Sequence, residues 1–210
     1  MSKCFIFAGG ELGEIKKCDI EEGSYIICAD NGLCHAQKLE IAPDVILGDF
    51  DSYKGELNYD VEIIRCSPQK DDTDTLMAVK LAINRGYDDI IILGALGGRF
   101  DHTIANIQTL KYAIEHNVKA EIKDGRNRIF MLNSGEYEFE KTDDYFSIFA
   151  FSESIKISFL KGVKYPLENY TIYQNFPIGA SNEIISEKAV LNLTCLLYTS
   201  PSPRDGLLSR

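Results

Sequence analysis

Val45-Ile46-Leu47-Gly48-Asp49-Phe50-Asp51-Ser52 sets a short apolar run against a glycine turn and two aspartates. A run of this length, apolar at successive positions, fits a strand buried on both faces, as in a parallel sheet covered by helices. Gly48 then lets the chain bend out of the pleat, and in open α/β sheets ligands bind at the carboxyl ends of the strands. The same grammar repeats outward from this segment. Residues 4–8, 25–29, 61–66 and 90–93 are further apolar runs, and residues 31–39, 73–85 and 102–116 read as helices. In the second helix Leu76, Val79, Lys80 and Ile83 recur at three-to-four spacing, and Gly86 supplies a stop. Ile104, Ile107, Leu110, Tyr112 and Ile114 are the apolar positions of the third. Strand–helix–strand order predicts an α/β domain, a mostly parallel sheet with flanking helices.

The period changes near Asn133-Ser134-Gly135. Tyr137/Phe139, Phe146/Ile148/Ala150 and Ile155/Ile157/Phe159 alternate with polar residues, punctuated by Gly162, Pro166, Pro177 and Gly179. Alternation of this kind predicts a C-terminal antiparallel β-sandwich. The expected division is therefore residues 1–132, residues 133–194, and a tail of residues 195–210. The two tail prolines, Pro201 and Pro203, forbid a central strand. The tail resembles translated sequencing-adapter read-through, in which case the natural closing strand of the β domain is missing.

Charge narrows the partners. A net charge of -10 without a dense Lys/Arg stretch argues against tracking a nucleic-acid backbone. No apolar run approaches the roughly 20 residues that cross a bilayer, and the start is too brief for a signal peptide, so the expected home is cytoplasmic, off the membrane. An acidic chain that handles phosphates needs bridging cations. The six cysteines form no C-x-x-C pair and read as reduced and non-catalytic, with Cys28 and Cys66 in strand contexts.

Three segments carry the chemistry. Asp49 and Asp51 at a strand end repel each other unless a cation lies between them, and magnesium shares hard oxygen ligands between carboxylates and substrate phosphates. A polar turn with Asp51 capping a helix would explain the pair equally well on local grounds. Gln69-Lys70-Asp71-Asp72-Thr73-Asp74 also follows a strand and opens a helix, where Asp and Thr serve as caps and macrodipole partners. Gly94-Ala95-Leu96-Gly97-Gly98-Arg99-Phe100-Asp101-His102 offers glycines for close approach to phosphate, an arginine fork, and a carboxylate that can cap or bind metal. Gly9-Gly10-Glu11-Leu12-Gly13 is a weaker relative of that turn. G-x-x-x-x-G-K-[ST] is absent, which excludes a P-loop. His102 suits acid–base work or a structural place in the first helical turn. His35 and His116 read as helical surface residues without a role.

Gly48-Asp49-Phe50-Asp51-Ser52, Lys70-Asp71-Asp72-Thr73-Asp74 and Gly97-Gly98-Arg99-Phe100-Asp101-His102, in this order, resemble the signature of the thiamine pyrophosphokinase family. Ala29-Asp30-Asn31-Gly32 is similar to its first turn, with Asn31 where a glycine is common; asparagine tolerates left-handed geometry. Gly162-Val163-Lys164-Tyr165-Pro166-Leu167 and Gly179-Ala180-Ser181-Asn182-Glu183 resemble landmarks of its β domain. The likeness spans about residues 3–194. It implies transfer of a pyrophosphoryl group from ATP to the hydroxyl of thiamine, releasing AMP. It further implies Asp49, Asp51, Asp71, Asp74 and Asp101 as the magnesium and catalytic carboxylates, and Asp30, Asn31, Gly97, Gly98, Arg99 and His102 around the nucleotide. Ser181 and Asn182 would then contact thiamine at a homodimer interface. Three rivals stand beside it: a pyrophosphokinase for another alcohol such as a hydroxymethylpterin, a phosphohydrolase using Asp49 as a covalent nucleophile, and a nucleotide-binding regulator.

Overall fold

The computed structural model describes residues 3–50, 60–67, 71–142 and 145–194. Two compact units divide the chain, Met1–Met131 and Leu132–Arg210.

Among the described residues of the first unit, seven strands form one sheet: β1 (Cys4–Phe7), β2 (Tyr25–Ala29), β3 (Val45–Gly48), β4 (Glu62–Arg65), β5 (Asp89–Leu93), β6 (Lys119–Lys123) and β7 (Arg128–Phe130). Their spatial order is β4-β3-β2-β1-β5-β6-β7, parallel throughout except for the β6–β7 hairpin. Helices α1 (Gly32–Lys38), α2 (Asp74–Asn84) and α3 (Phe100–Glu115) flank it. Alternate strand residues feed two cores. Cys4, Ile6, Ile27, Ile90 and Ile92 pack with Ala78, Val79, Ala82, Leu110 and Ala113 of α2 and α3. Phe5, Phe7, Cys28, Ile46 and Ile91 face Leu33 and Ala36 of α1. Burial on both faces is why these strands read as unbroken apolar runs. Burial also pushes the Cys4 and Cys28 thiols up to about 12, so neither is a nucleophile at neutral pH.

The helix faces match the expected ones in part: Val79 and Leu110 are buried as expected, and Ile83 and Tyr112 pack at the core's edge. The side chains of α2 that are buried are Thr75, Ala78, Val79 and Ala82, and those of α3 are Asn106, Thr109, Leu110 and Ala113, while Ile104 is exposed. Small residues let each helix lie close on the sheet, which displaces the larger aliphatics to its flanks. Strand β4 is an edge strand with both terminal residues exposed, not a doubly buried one. Strands β6 and β7 went unread in the sequence because Glu121 interrupts the apolar run. Burial pushes the Glu121 carboxyl up, yet ion pairs with Lys123 (2.7 Å) and Arg128 (2.6 Å) outweigh it and hold the group below the usual carboxylate range.

The second unit is antiparallel. Strands β8 (Gly135–Glu140), β9 (Tyr145–Phe146), β10 (Ser154–Lys161), β11 (Leu167–Tyr173), β12 (Asn182–Glu183) and β13 (Lys188–Thr194) are its described strands. Four form a sheet in the order β11-β10-β13-β8, and β9 pairs with β12. Ile155, Ile157, Leu160, Ile172, Ala189, Leu191 and Leu193 fill the core. A bulge between Ile157 and Phe159 shifts the register of β10 against β13. Leu160, rather than Phe159, is therefore the buried residue, and the expected strict alternation stops there. The expected foreign tail falls on residues 195–210, outside the described residues.

Candidate active site

The carboxyl ends of the parallel strands lie on one edge of the sheet, and the strand order reverses between β1 and β5. Such a reversal opens a crevice at that edge. The turn after β1 and the turn after β5 are laced across it: Gly10 donates its N–H to the Gly94 carbonyl (2.7 Å) and Glu11 to that of Leu96 (2.8 Å). A Cβ on Gly10 would stand 2.7 Å from both of those carbonyl oxygens, so only glycine fits. Gly98, at φ +63°, faces open space.

The contacts continue along the edge toward β4. Gly9 sits against Asn31, where a Cβ would be 3.3 Å from the Asn31 Cβ, and Gly48 sits against Asp30 at 3.2–3.3 Å. Cys66 donates its N–H to the Gly48 carbonyl at 2.9 Å, which ties the end of β4 to the turn bearing Asp49. Asp49 is half-buried, and Phe50 after it turns left-handed at φ +59°. That conformation breaks the period-two alternation of β3, as the bend out of the pleat requires, while Phe50 packs on the α1-side core under the Arg65 guanidinium. Asp51 and Ser52 lie outside the described residues. In the first turn the left-handed residue is Asp30 (φ +48°); Asn31, at φ -61°, takes the N-cap of α1 with right-handed geometry. Asparagine's tolerance of left-handed backbone is thus not what the position uses.

Beyond β4, Thr73 caps α2 by accepting the Leu76 N–H at 3.2 Å, and Asp72 pairs with Lys80 at 2.6 Å. Two members of the acidic run therefore have structural duties. Asp71 is exposed, and Asp74 is half-buried as the first residue of α2. Lys70 lies outside the described residues. On the far side of the switch point, Arg99 grips Asp101 through Nε–Oδ1 (3.2 Å) and Nη2–Oδ2 (2.6 Å), and the His102 N–H donates to Asp101 Oδ1 (2.9 Å). The Arg99 guanidinium accordingly holds the Asp101 carboxyl below its ordinary range. Gly97, Gly98, Arg99, Asp101 and His102 are all exposed. Among the described residues no three His, Cys, Asp or Glu side chains form a ready-made metal cluster.

In the second unit Ser181 is exposed and left-handed at φ +58°, its N–H donated to Ser147 Oγ at 3.0 Å. Asn182 is buried. Its Oδ1 accepts the N–H groups of Tyr165 (3.0 Å) and Glu183 (2.9 Å), and its Nδ2 donates to the Tyr165 carbonyl (2.9 Å).

Two family models match this chain. "Thiamin pyrophosphokinase, catalytic domain" covers residues 19–122, and "Thiamin pyrophosphokinase, vitamin B1 binding domain" covers residues 136–196. A thiamine pyrophosphokinase of Bacillus subtilis (strain 168) is 34% identical over 181 residues, which is 82% of this chain and 84% of the relative. The chain belongs to the thiamin pyrophosphokinase family. A crystal structure of the Bacillus subtilis enzyme superposes with a TM-score of 0.84 at 31% identity, covering 92% of this chain and 95% of that one. A crystal structure of thiamin pyrophosphokinase from Geobacillus thermodenitrificans gives 0.80 at 26% identity, over 93% and 94%.

Two residues of this family member escaped the sequence reading. His35, expected at the surface, is half-buried and puts Nε2 2.7 Å from the Gly10 carbonyl. Asn106, buried on α3, donates to the Ala95 carbonyl at 2.8 Å. Nothing local marks either one; each acts on a turn reached through the fold. Among the described residues, no helix is long and apolar enough to cross a membrane.

Proposed function

We propose that this chain transfers a pyrophosphoryl group from ATP to thiamine, with magnesium, giving thiamine diphosphate and AMP in the cytoplasm. One arrangement supports the reading most: the acidic turns after β3 and β4 and the Gly97–Asp101 turn after β5 share the ligand-binding edge of the sheet, flanking its switch point. Family membership then names the donor and acceptor.

The first unit takes ATP. Glycine turns leave room for phosphates at the crevice, Arg99 can fork onto their oxygens, and Asp30, Asn31 and His102 border the nucleotide. Asp49, Asp51, Asp71, Asp74 and Asp101 form the metal and catalytic set. Hard carboxylate oxygens suit magnesium, which completes its coordination with substrate phosphates and water, so no all-protein cage is required. Magnesium, when bound, neutralises phosphate charge. The thiamine hydroxyl oxygen attacks the β-phosphorus. The bond from that phosphorus to the α,β-bridging oxygen breaks, AMP leaves with the oxygen, and the hydroxyl proton passes to a carboxylate of the set. Catalysis of this kind rests on positioning and charge. In the second unit Ser181 and Asn182 serve thiamine within a homodimer.

The test is AMP release from ATP with thiamine, with a hydroxymethylpterin, and with neither alcohol. Thiamine-dependent release that is abolished by Asp74→Asn in a folded protein supports the assignment. Release with the pterin alone, or an aspartyl phosphate trapped on Asp49, would replace it.

A further inference from the structure

We propose that His35 and Asn106 are positioning residues that clamp the paired glycine turns of the nucleotide crevice from opposite faces of the sheet. The proposal rests on the reading of the first unit as the ATP-binding one. The turns after β1 and β5 include Gly9, Gly10, Gly94, Gly97 and Gly98. So much glycine allows close approach to phosphate but leaves the unrestrained backbone many conformations. A ligand that had to order both turns would bind correspondingly more weakly.

The structure supplies one restraint per turn. Helix α1 packs on the core with Phe5 and Phe7 and sends His35 Nε2 to the Gly10 carbonyl at 2.7 Å. Helix α3 packs on the other core with Ile6 and Ile92 and sends Asn106 Nδ2 to the Ala95 carbonyl at 2.8 Å. In a trans peptide the carbonyl and the next N–H point opposite ways, so fixing one aims the other. His35 thereby aims the Glu11 N–H, which donates to the Leu96 carbonyl at 2.8 Å, and Asn106 aims the N–H of Leu96 itself. His35 thus fixes one of the peptide planes that lace the turns together, and Asn106 fixes the Ala95–Leu96 plane between the two carbonyls that receive those bonds. His35 is also in contact with the second turn, its Cδ2 lying 3.1 Å from where a Gly94 Cβ would be. A side chain at Gly94 would crowd that ring.

The test compares the unsubstituted protein, the wild type, with His35→Leu, His35→Gln and Asn106→Leu. Calorimetric titration with α,β-methylene ATP and magnesium is run beside steady-state AMP release. We expect each leucine variant to weaken analogue binding and raise the KM for ATP about ten-fold, the scale of one lost buried hydrogen bond. The KM for thiamine stays within two-fold, roughly the scatter of such comparisons. His35→Gln, whose amide can donate in place of Nε2, restores most of the affinity. Unchanged nucleotide affinity in both leucine variants, or an equal loss toward ATP and thiamine, overturns the clamp. A wild type that binds the analogue without thiamine-dependent AMP release refutes the functional reading alone, and the variants' titrations still decide the clamp. A wild type that binds no nucleotide overturns both.

Discussion

Arg99 and Asp101 are joined by two hydrogen bonds, 3.2 and 2.6 Å long, although both side chains are largely exposed. An exposed pair contributes little to stability, because solvent screens it. Its interest lies in placement beside Gly97 and Gly98 at the start of α3, where each partner has a proposed role toward ATP. In that proposed reading, bound phosphate would compete with Asp101 for the guanidinium, and magnesium would compete with Arg99 for the carboxylate. Asp101→Asn is therefore expected to cut kcat by at least about 100-fold, in the range of lost transition-state electrostatics. Thermal unfolding of that variant should coincide with wild type. Arg99→Lys, which loses the planar fork, should raise the KM for ATP more than it lowers kcat. An Asp101→Asn protein with near-normal turnover would remove Asp101 from the catalytic set.

Glu121 gives a pH-dependent contribution to folding. Its folded carboxyl is held below the ordinary value, so the stabilisation is complete above the unfolded Glu pKa and is lost as pH falls through the folded one. Lys123 and Arg128 are partly exposed, which discounts the pair. Glu121→Gln should cost about 1–2 kcal/mol at pH 7. Urea unfolding midpoints of wild type and variant should converge as pH drops below about 4. A gap between them that stays constant down to that pH would show that the carboxylate's charge is not what stabilises β6 and β7.

Gly10 and Gly98 should respond to different extents to a methyl group, Gly10 the more strongly. Gly10→Ala places a Cβ 2.7 Å from two backbone carbonyl oxygens, so the two turns must part. Loss of several degrees in Tm together with weaker ATP binding is expected, since backbone rather than a flexible side chain has to move. Gly98→Ala meets open space and carries only the left-handed penalty of about 1–2 kcal/mol. Thermal unfolding of both variants decides the matter, and equal destabilisation would contradict the close approach at Gly10.

How much of this was legible in sequence follows from how local each signal is. Residues 45–47 read as a strand because both their faces are buried, and a core on each side writes an unbroken apolar run; the structure carries the strand one residue further, to Gly48. The faces of α2 and α3 are only partly legible, with Val79 and Leu110 buried as expected, for the converse reason. Close packing on the sheet selects Ala78, Ala82 and Ala113, which carry weak hydrophobic signals, and leaves Ile104 outside. The acidic segments could be found because aspartates gather after strand ends. His35 and Asn106 could not, since their partners are carbonyls 25 and 11 residues away. Asn182 was legible only as part of a family motif, and its bonds within the unit are visible only once β12 is folded.

Those bonds separate Asn182 from its neighbour experimentally. Asn182 ties the Tyr165 N–H and carbonyl to β12, so removing its amide leaves two backbone groups of that residue without this partner. Asn182→Ala should destabilise the second unit by about 1–3 kcal/mol, seen as a lower unfolding midpoint. Ser181 is exposed and holds its place through its backbone N–H on Ser147, which survives substitution of its own side chain. Ser181→Ala should leave the midpoint unchanged and raise the KM for thiamine a few-fold, the worth of one neutral hydrogen bond. Glycine at the same position, free to adopt φ +58°, should behave like alanine or fold slightly better. If Ser181→Ala instead lowers stability with thiamine kinetics untouched, the motif's serine is structural and makes no direct thiamine contact.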